Sequence, residues 1–305
     1  MAVAEHRFRV MASEAHVVVV DGGHGHLSHA EERLRWLEAR WSRFDSASDV
    51  SRMNEAPGHP VAVTEETVCM VERAVEAWRL TGGSFDPMIL PSLIAAGYAT
   101  SVEDSEAVSL MAAPAVLGPA PGCGAIVIDR RRHTVTLPPA GAFDPGGIGK
   151  GLAADMTVGT LLGMGADGAM VSVGGDVRAS GEAPTHAGWV VGLEDPSSPV
   201  HLIRSLALGD GAVATSSTLS RSWMKDGERV HHLIDPATGR CAASGIVSVT
   251  VLAAEAWIAE AFSKASMLTD PVSAVLGLER AGLAGVVVDS GGLIQETESM
   301  GRFAA

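Results

Sequence analysis

The residues whose types and spacing could do chemistry are densest between Asp144 and Asp155, which read D-P-G-G-I-G-K-G-L-A-A-D. Gly146, Gly147 and Gly149 let the backbone approach a ligand where a Cβ would block it, and an apolar, alanine-rich run follows at once. That order puts backbone N–H groups at the mouth of a helix. Lys150 adds a full charge at the helix's positive end, and the combination suits an anion, phosphate above all. Two standard phosphate signatures do not apply. A Walker A loop needs a glycine where Asp144 stands and a hydroxyl residue where Gly151 follows Lys150. Gly163 to Gly168 satisfies G-x-G-x-x-G, but it leads from a helical pattern into the strand-like Ala169 to Val173, the reverse of a dinucleotide fold, and predicts a helix-to-strand turn.

Three further constellations carry polar chemistry. Ser84-Phe85-Asp86-Pro87 follows Gly82-Gly83 and predicts an irregular loop at a helix end. His231-His232-Leu233-Ile234-Asp235-Pro236 runs into Thr238-Gly239, setting a histidine and a carboxylate around a turn. Such a pair is most often a structural hydrogen bond, and becomes an acid–base candidate if it converges with a phosphate site. Glu260 and Lys264 stand at i and i+4 on a helix, where an exposed ion pair contributes a few tenths of a kcal/mol at most. His24, His26 and His29 flank a glycine-rich connection and are expected to be solvated turn residues rather than metal ligands.

The elements that must position these residues can be placed by period. His16 to Val20 predicts a strand closed by Asp21-Gly22-Gly23. Ser28-x-x-Glu31 has the form of a capping box, with Leu34, Leu37, Trp41 and Phe44 at helical spacing, so the first helix is expected to run to about Trp41. Ser51-Arg52-Met53-Asn54 reads as a polar turn. Thr64 with Glu65 and Glu66 opens a second helix whose buried stripe is Val68, Val71, Val75 and Trp78. Residues 98–121, rich in Ala, Ser and Pro, predict a variable surface excursion, and Ile126, Ile128, Val135 and Leu137 predict a hairpin with Arg130-Arg131-Arg132 at its tip. Downstream strands are expected at Met170 to Val173, Trp189 to Leu193, Ile203 to Leu208, Ala212 to Ala214, Ile246 to Ala253 and Gly285 to Asp289, with a helix from Glu255 to Leu268. Strands and helices intermix without a β-α-β repeat, which favours an α+β fold with a largely antiparallel sheet.

Composition narrows the partners. A chain of 305 residues with 47% hydrophobic and 19% charged residues can bury a sizeable core. Its formal charge of -14 argues against nucleic acid and anionic membrane surfaces. Cys69, Cys123 and Cys241 form no C-x-x-C and are expected to be free thiols. Met1 to Val10 is polar, without an apolar export segment or a lipobox cysteine. No run approaches the roughly 18 apolar residues of a membrane span, so the expectation is a cytoplasmic protein.

Taken together, Ser51-Arg52-Met53-Asn54, Thr81-Gly82-Gly83-Ser84-Phe85-Asp86-Pro87, the Asp144 to Asp155 stretch, Gly174-Gly175-Asp176, Ala214-Thr215-Ser216 and His232 to Gly239 resemble, in order, the motifs of the FAD:protein FMN transferases, the ApbE-like proteins. The resemblance runs from about Met11 to the last strand. It implies a single α+β domain over residues 1–305, with a mixed, largely antiparallel sheet, flanking helices and an FAD cleft between two lobes. It also implies an enzyme that binds FAD and, with Mg²⁺, transfers FMN to a threonine or serine of an acceptor flavoprotein, releasing AMP. By resemblance, Met11 packs against the flavin and Phe44 lines it. Ser84, Phe85, Asp86, Asp144 and Lys150 contact FAD, His232 and Leu233 lie beside the flavin, and the Gly147 carbonyl binds the metal. Lys150, His232 and Asp235 are the expected catalytic groups.

Two departures stand out. Met11-Ala12-Ser13 replaces the family's Met-Gly-Thr. The family's D-x-x-x-T, which carries two metal ligands, is here Glu260 and Lys264. Glutamate can ligate a hard cation and lysine cannot, so the Lys264 ammonium is expected to occupy or compete with the metal position. That substitution keeps two alternatives open: a pyrophosphatase yielding FMN and AMP, and a flavin-binding relative without turnover.

Overall fold

The β-branched run Val17 to Val20 forms the fully buried end of a strand, Ser13–Val20, in the computed structural model, which describes residues 2–100 and 117–305. Its neighbour is a strand the sequence reading overlooked. Val3–Val10 pairs with it antiparallel from Val3↔Val20 to Val10↔Ser13, as an edge strand whose outward residues are exposed. The polar character of Met1 to Val10 reflects this edge position, where only one face meets apolar residues.

The chain divides into two compact units. The first comprises Met1–Arg35, Lys150–Leu219 and Ser244–Ala305, and the second Trp36–Gly149 and Ser220–Ala243. Seven α-helices occur among the described residues: α1 (His24–Trp41), α2 (Asp49–Glu55), α3 (Glu65–Leu80), α4 (Leu90–Ala95), α5 (Gly149–Gly163), α6 (Ala256–Ser266) and α7 (Pro271–Arg280). Two of these correct the sequence reading. α1 begins at His24, so Ser28 is interior to it and the three histidines lie in its opening turns rather than in a loop. Ser51 to Asn54 is helical, because Ser48 Oγ accepts the Ser51 N–H at 3.0 Å and caps α2.

In the first unit an eight-stranded sheet runs in the order Val3–Val10, Ser13–Val20, Gly168–Val173, Asp176–Gly181, Gly211–Ser217, Ile246–Ala253, Ala284–Asp289, Ile294–Glu296. Every pairing in it is antiparallel, as the largely antiparallel expectation requires. One face is covered by a hairpin, Trp189–Asp195 with Ser198–Leu208, whose Trp189, Leu206 and Leu208 pack with Val213, Leu252 and Val286. α6 packs against Gly211–Ser217 and Ile246–Ala253. Alternate residues Val249 and Val251, fully buried, point to the face opposite Leu252 by the two-residue period of a strand. Gly163 to Gly168 is the helix-to-strand turn expected of it, between α5 and Gly168–Val173.

In the second unit, Thr64 caps α3 and Val68, Val71 and Val75 are buried along it, as the spacing requires. Asp49, at the start of α2, accepts from the Thr64 N–H at 2.8 Å and from the Thr64 and Thr67 hydroxyls at 2.7 and 2.8 Å, which ties α2 to α3. Val127–Asp129 and Thr134–Thr136 form the expected hairpin, and Arg130 at its tip pairs with Glu72. Of the stretch 98–121, residues 101–116 lie outside the described residues. Tyr98 is half-buried, between Phe44 and Trp223.

α5 and α6 approach so closely that only glycine fits at 151. A Cβ there would lie 2.5 Å from the Ala256 carbonyl oxygen and 2.9 Å from the Trp257 nitrogen. Gly159, in the same helix, has nothing within 4 Å of its Cβ position. Gly151→Ala is therefore expected to lower unfolding free energy by about 1–3 kcal/mol through backbone displacement. Gly159→Ala is expected to raise it by about 0.5–1 kcal/mol through helix propensity. Urea denaturation of the two variants checks both signs.

Candidate functional site

In the first unit four charged side chains meet at one end of the sheet. Lys150, in the first turn of α5, contacts Asp176 and lies 3.2 Å from Glu260 Oε1. Lys264 Nζ lies 3.0 Å from the same oxygen. Glu260 Oε2 accepts the Gly151 N–H at 2.8 Å. Asp176 and Glu260 are 2% and 0% exposed, whereas the two lysine side chains are 17% and 18% exposed. The carboxylates thus form the floor and the ammonium groups the outward layer.

The sequence reading therefore needs two corrections. Glu260 and Lys264 are not a surface pair, because α6 turns Glu260 into the interior against α5. The helix N-terminus expected to hold phosphate has at Gly151 an anion of the protein's own, the Glu260 carboxylate, and Lys150 is anchored on carboxylates rather than projecting freely.

Two hairpin turns shape this end of the sheet. Gly174 and Gly175, at φ +61° and +90°, make a two-residue turn that delivers Asp176 beside Lys150. A Cβ at Gly174 would lie 2.8 Å from Ser13 Oγ and 3.4 Å from Lys150 Cδ, so the close approach also demands glycine. Beside it, Met11 and Ala12 form the turn of the first hairpin at φ 53° and 52°. Left-handed conformation at two consecutive non-glycine residues costs roughly 1–2 kcal/mol each. The pairing of Val10 with Ser13 holds Met11, the residue expected against the flavin, at the tip of this tight turn in spite of that cost.

Buried charge is balanced within the cluster. Burial raises the affinity of Glu260 for a proton, but Lys150, Lys264 and the Gly151 N–H outweigh it and hold the carboxyl below its ordinary range. Asp176 is shifted upward, by burial first and then by the neighbouring Glu260 charge, against the attraction of Lys150.

Asp155, at the end of the glycine motif, has a structural role that the sequence reading did not assign. Its Oδ1 accepts the Ala256 N–H at 2.9 Å and its Oδ2 the Trp257 N–H at 3.0 Å, capping α6 from α5. Arg178 Nε lies 3.3 Å away. The signal was available: a carboxylate inside the apolar run Leu152 to Met156 is stable only with buried partners. Burial lifts its pKa from 3.8 to about 6, against the two N–H donors and Arg178.

The second unit holds most of the residues expected to contact FAD. Asp144 Oδ1 pairs with Arg43 Nε at 3.0 Å, and Oδ2 accepts the Gly146 N–H at 3.1 Å. The Arg43 guanidinium carbon lies 4.2 Å from the Phe44 ring centroid and 4.7 Å from that of Tyr98, and its Nη2 donates to the Tyr98 carbonyl at 2.7 Å. Arg43, buried and central to this group, was missed, since nothing in its spacing distinguishes it from a solvated arginine. Asp86 is also buried and accepts the Met88 N–H at 2.8 Å. Burial raises it to about 6, against that hydrogen bond and the Cys123 thiol. Ser84 is exposed and Phe85 buried in the same loop. Asn54 donates to the Phe143 carbonyl at 2.9 Å and accepts its N–H at 2.7 Å, fixing the main chain that enters Asp144.

His232 and Asp235 are held separately. His232 Nδ1 lies 3.3 Å from the Arg221 carbonyl oxygen, while Asp235 accepts from the Ala237 N–H and the Thr238 hydroxyl of its own turn, each at 2.9 Å. Leu233 is buried between them. Gly147 lies in a short 3-10 turn, Pro145–Gly147, of the second unit.

The donor set at Glu260 does not fit a resident divalent cation. Oε1 carries two ammonium groups, Oε2 carries a backbone N–H, and lysine offers no lone pair while charged. No group of three or more His, Cys, Asp or Glu that could hold a metal occurs among the described residues.

The antiparallel sheet, the lysine-bearing glycine turn and the Glu260 that α6 presents to it belong to an α+β protein of the ApbE type. The chain belongs to the ApbE family, whose profile matches residues 11–287. It is 29% identical over 227 residues to an FAD:protein FMN transferase of Vibrio cholerae, and 30% identical over 268 residues to one of Treponema pallidum. These matches cover 72% and 78% of this chain and 66% and 67% of the relatives, so the chain spans about two thirds of their length. An ApbE protein of Thermotoga maritima has the same fold at a TM-score of 0.87 and 29% identity, covering 100% of both chains. The Vibrio cholerae flavin transferase ApbE shares the fold at a TM-score of 0.79 and 21% identity, covering 99% of each. No helix among the described residues is long and apolar enough to cross a membrane.

Because the Asp155 carboxyl is raised in the folded state, it binds its proton more tightly there than in the unfolded chain. Its contribution to stability is present in full below the ordinary 3.8 and is lost as pH rises through about 6. Asp155→Asn removes that titration and one of the two caps. The variant is expected to be less stable than the parent at pH 4, with the gap narrowing by up to about 3 kcal/mol towards pH 7. Urea unfolding at the two pH values reads this; a gap that widens with pH contradicts it.

Proposed function

We propose that this chain is a flavin transferase acting on FAD and an acceptor flavoprotein. A threonine or serine hydroxyl oxygen of the acceptor bonds to the FMN phosphorus, the pyrophosphate bond breaks, AMP leaves, and the hydroxyl proton passes to a base. The observation that carries this reading is the anchored Lys150 at the head of α5, in a chain matching the ApbE family over residues 11–287. Relatives named FAD:protein FMN transferase support it.

The chemistry is mostly positioning and charge neutralisation. Lys150 suits the second task, because two buried carboxylates fix its ammonium before substrate arrives and little side-chain freedom remains to be lost. Met11, Phe44, Ser84, Phe85, Asp86 and Asp144 are assigned to FAD contact, with His232 and Leu233 beside the flavin. A carbonyl oxygen only accepts, so in the contact with the Arg221 carbonyl it is His232 Nδ1 that donates. His232 is assigned the acceptance of the hydroxyl proton. Asp235 shapes the turn that follows. Charge neutralisation at Glu260 falls to Lys150 and Lys264, since both of its oxygens are already engaged.

The test combines FAD with an acceptor domain bearing a candidate threonine and follows AMP release and acceptor mass together. Acceptor-dependent AMP with an FMN adduct is expected, and Lys150→Met is expected to slow AMP release by about 100-fold or more. AMP without an adduct, from an acceptor that a known flavin transferase does modify, contradicts the transferase reading in favour of a pyrophosphatase.

A further inference from the structure

We propose that Lys264, paired with Lys150 on Glu260, is a built-in cation that replaces a divalent metal, so that this chain binds FAD without one. The inference rests on the flavin-site reading above and deepens it.

Three observations carry it. First, Glu260 has no coordination capacity to spare: both oxygens are engaged by Lys150, Lys264 and the Gly151 N–H, and the residue is 0% exposed. A magnesium ion demands oxygen ligands at about 2.0–2.1 Å and would have to expel an ammonium group from that carboxylate. Second, Lys264 enters from the same helix at i+4, so the backbone of α6 itself sets the separation of acid and ammonium. Third, the ammonium groups are the more exposed members of the cluster. Lys264 has Glu260 as its ion-pair partner among the described residues and carries three N–H donors, so donors remain for an incoming anion.

Electrostatics favour the same assignment. Two carboxylates, two ammonium groups and the positive end of α5 sum to a slightly positive, fully buried-backed surface. An FAD phosphate placed on the outer side meets two ammonium groups, which supply separate point charges where a metal would supply one doubly charged ion bridging oxygens. No redox or further covalent step is involved: the bonds made and broken are those of the transfer itself.

The experiment is an FAD titration, followed by flavin fluorescence, on the full chain after chelator treatment, with and without added MgCl₂. It is run for the parent, Lys264→Thr and Lys264→Met, each checked for folding by circular dichroism. The parent is expected to bind FAD equally well in both conditions. Without magnesium, Lys264→Thr is expected to bind at least about tenfold more weakly, and to recover with MgCl₂ because its hydroxyl restores a ligand. Lys264→Met is expected to weaken similarly and not to recover. Strengthening of FAD binding to the parent by about tenfold or more on adding MgCl₂ overturns the proposal, as does unchanged affinity in both variants. FAD bound without metal but never split with an acceptor leaves this inference standing while the transferase reading fails. Metal-dependent FAD binding with acceptor-dependent AMP release does the reverse, and absence of FAD binding in every condition overturns both.

Discussion

The structure of the first unit depends on a reciprocal exchange between two helices. The first turn of α5 donates the Gly151 N–H to Glu260 of α6, and the first turn of α6 donates two N–H groups to Asp155 of α5. α6 lacks a side-chain cap from its own N-terminal neighbour: Glu255, which precedes it, makes no side-chain cap hydrogen bond. Unpaired N–H groups at a buried helix start are costly, and here a carboxylate also complements the positive end of the partner's dipole. Gly151 permits the exchange, because any side chain there would collide with the backbone of the first turn of α6.

The same exchange builds the charged cluster. Once Glu260 is drawn inward to cap α5, Lys150 and Lys264 follow it, since a buried carboxylate is tolerable only when paired. Asp176 joins from the turn at Gly174 and Gly175, whose positive φ angles permit the reversal. Structural capping and the placement of cationic groups are therefore one arrangement. A motif that resembles a free phosphate loop is, in the folded chain, partly satisfied by the protein's own acids, with the ammonium groups left as the outward-facing layer.

The second unit solves a related problem by other means. Asp144 is nine-tenths buried and is neutralised by Arg43, whose flat guanidinium lies against two aromatic rings. Asn54 holds the main chain one residue earlier through a paired amide contact spanning 89 positions in sequence. Asp86 is buried with fewer compensating partners and is raised accordingly. Rigid support under polar loops is what a site needs if it is to hold a ligand without first ordering itself.

Local spacing alone determined the α+β class, α3 with its cap at Thr64, the Arg130 hairpin and the helix-to-strand turn at Gly163 to Gly168, because each depends on neighbours within a few positions. It could not determine the helical state of Ser51 to Asn54, whose cap and tertiary ties outweigh a polar composition, nor the edge strand at Val3–Val10, whose alternation is diluted by charge. The role of Glu260 was equally out of reach. An i, i+4 Glu–Lys pair looks alike on a solvated helix and on a buried one, and only the tertiary approach of α6 to α5 decided that this glutamate would face inward, cap a helix and gather two lysines. Long-range pairings such as Gly151 with Glu260, Asp155 with Ala256, and Arg43 with Asp144 are set by packing of elements distant in the chain, and no local period encodes them.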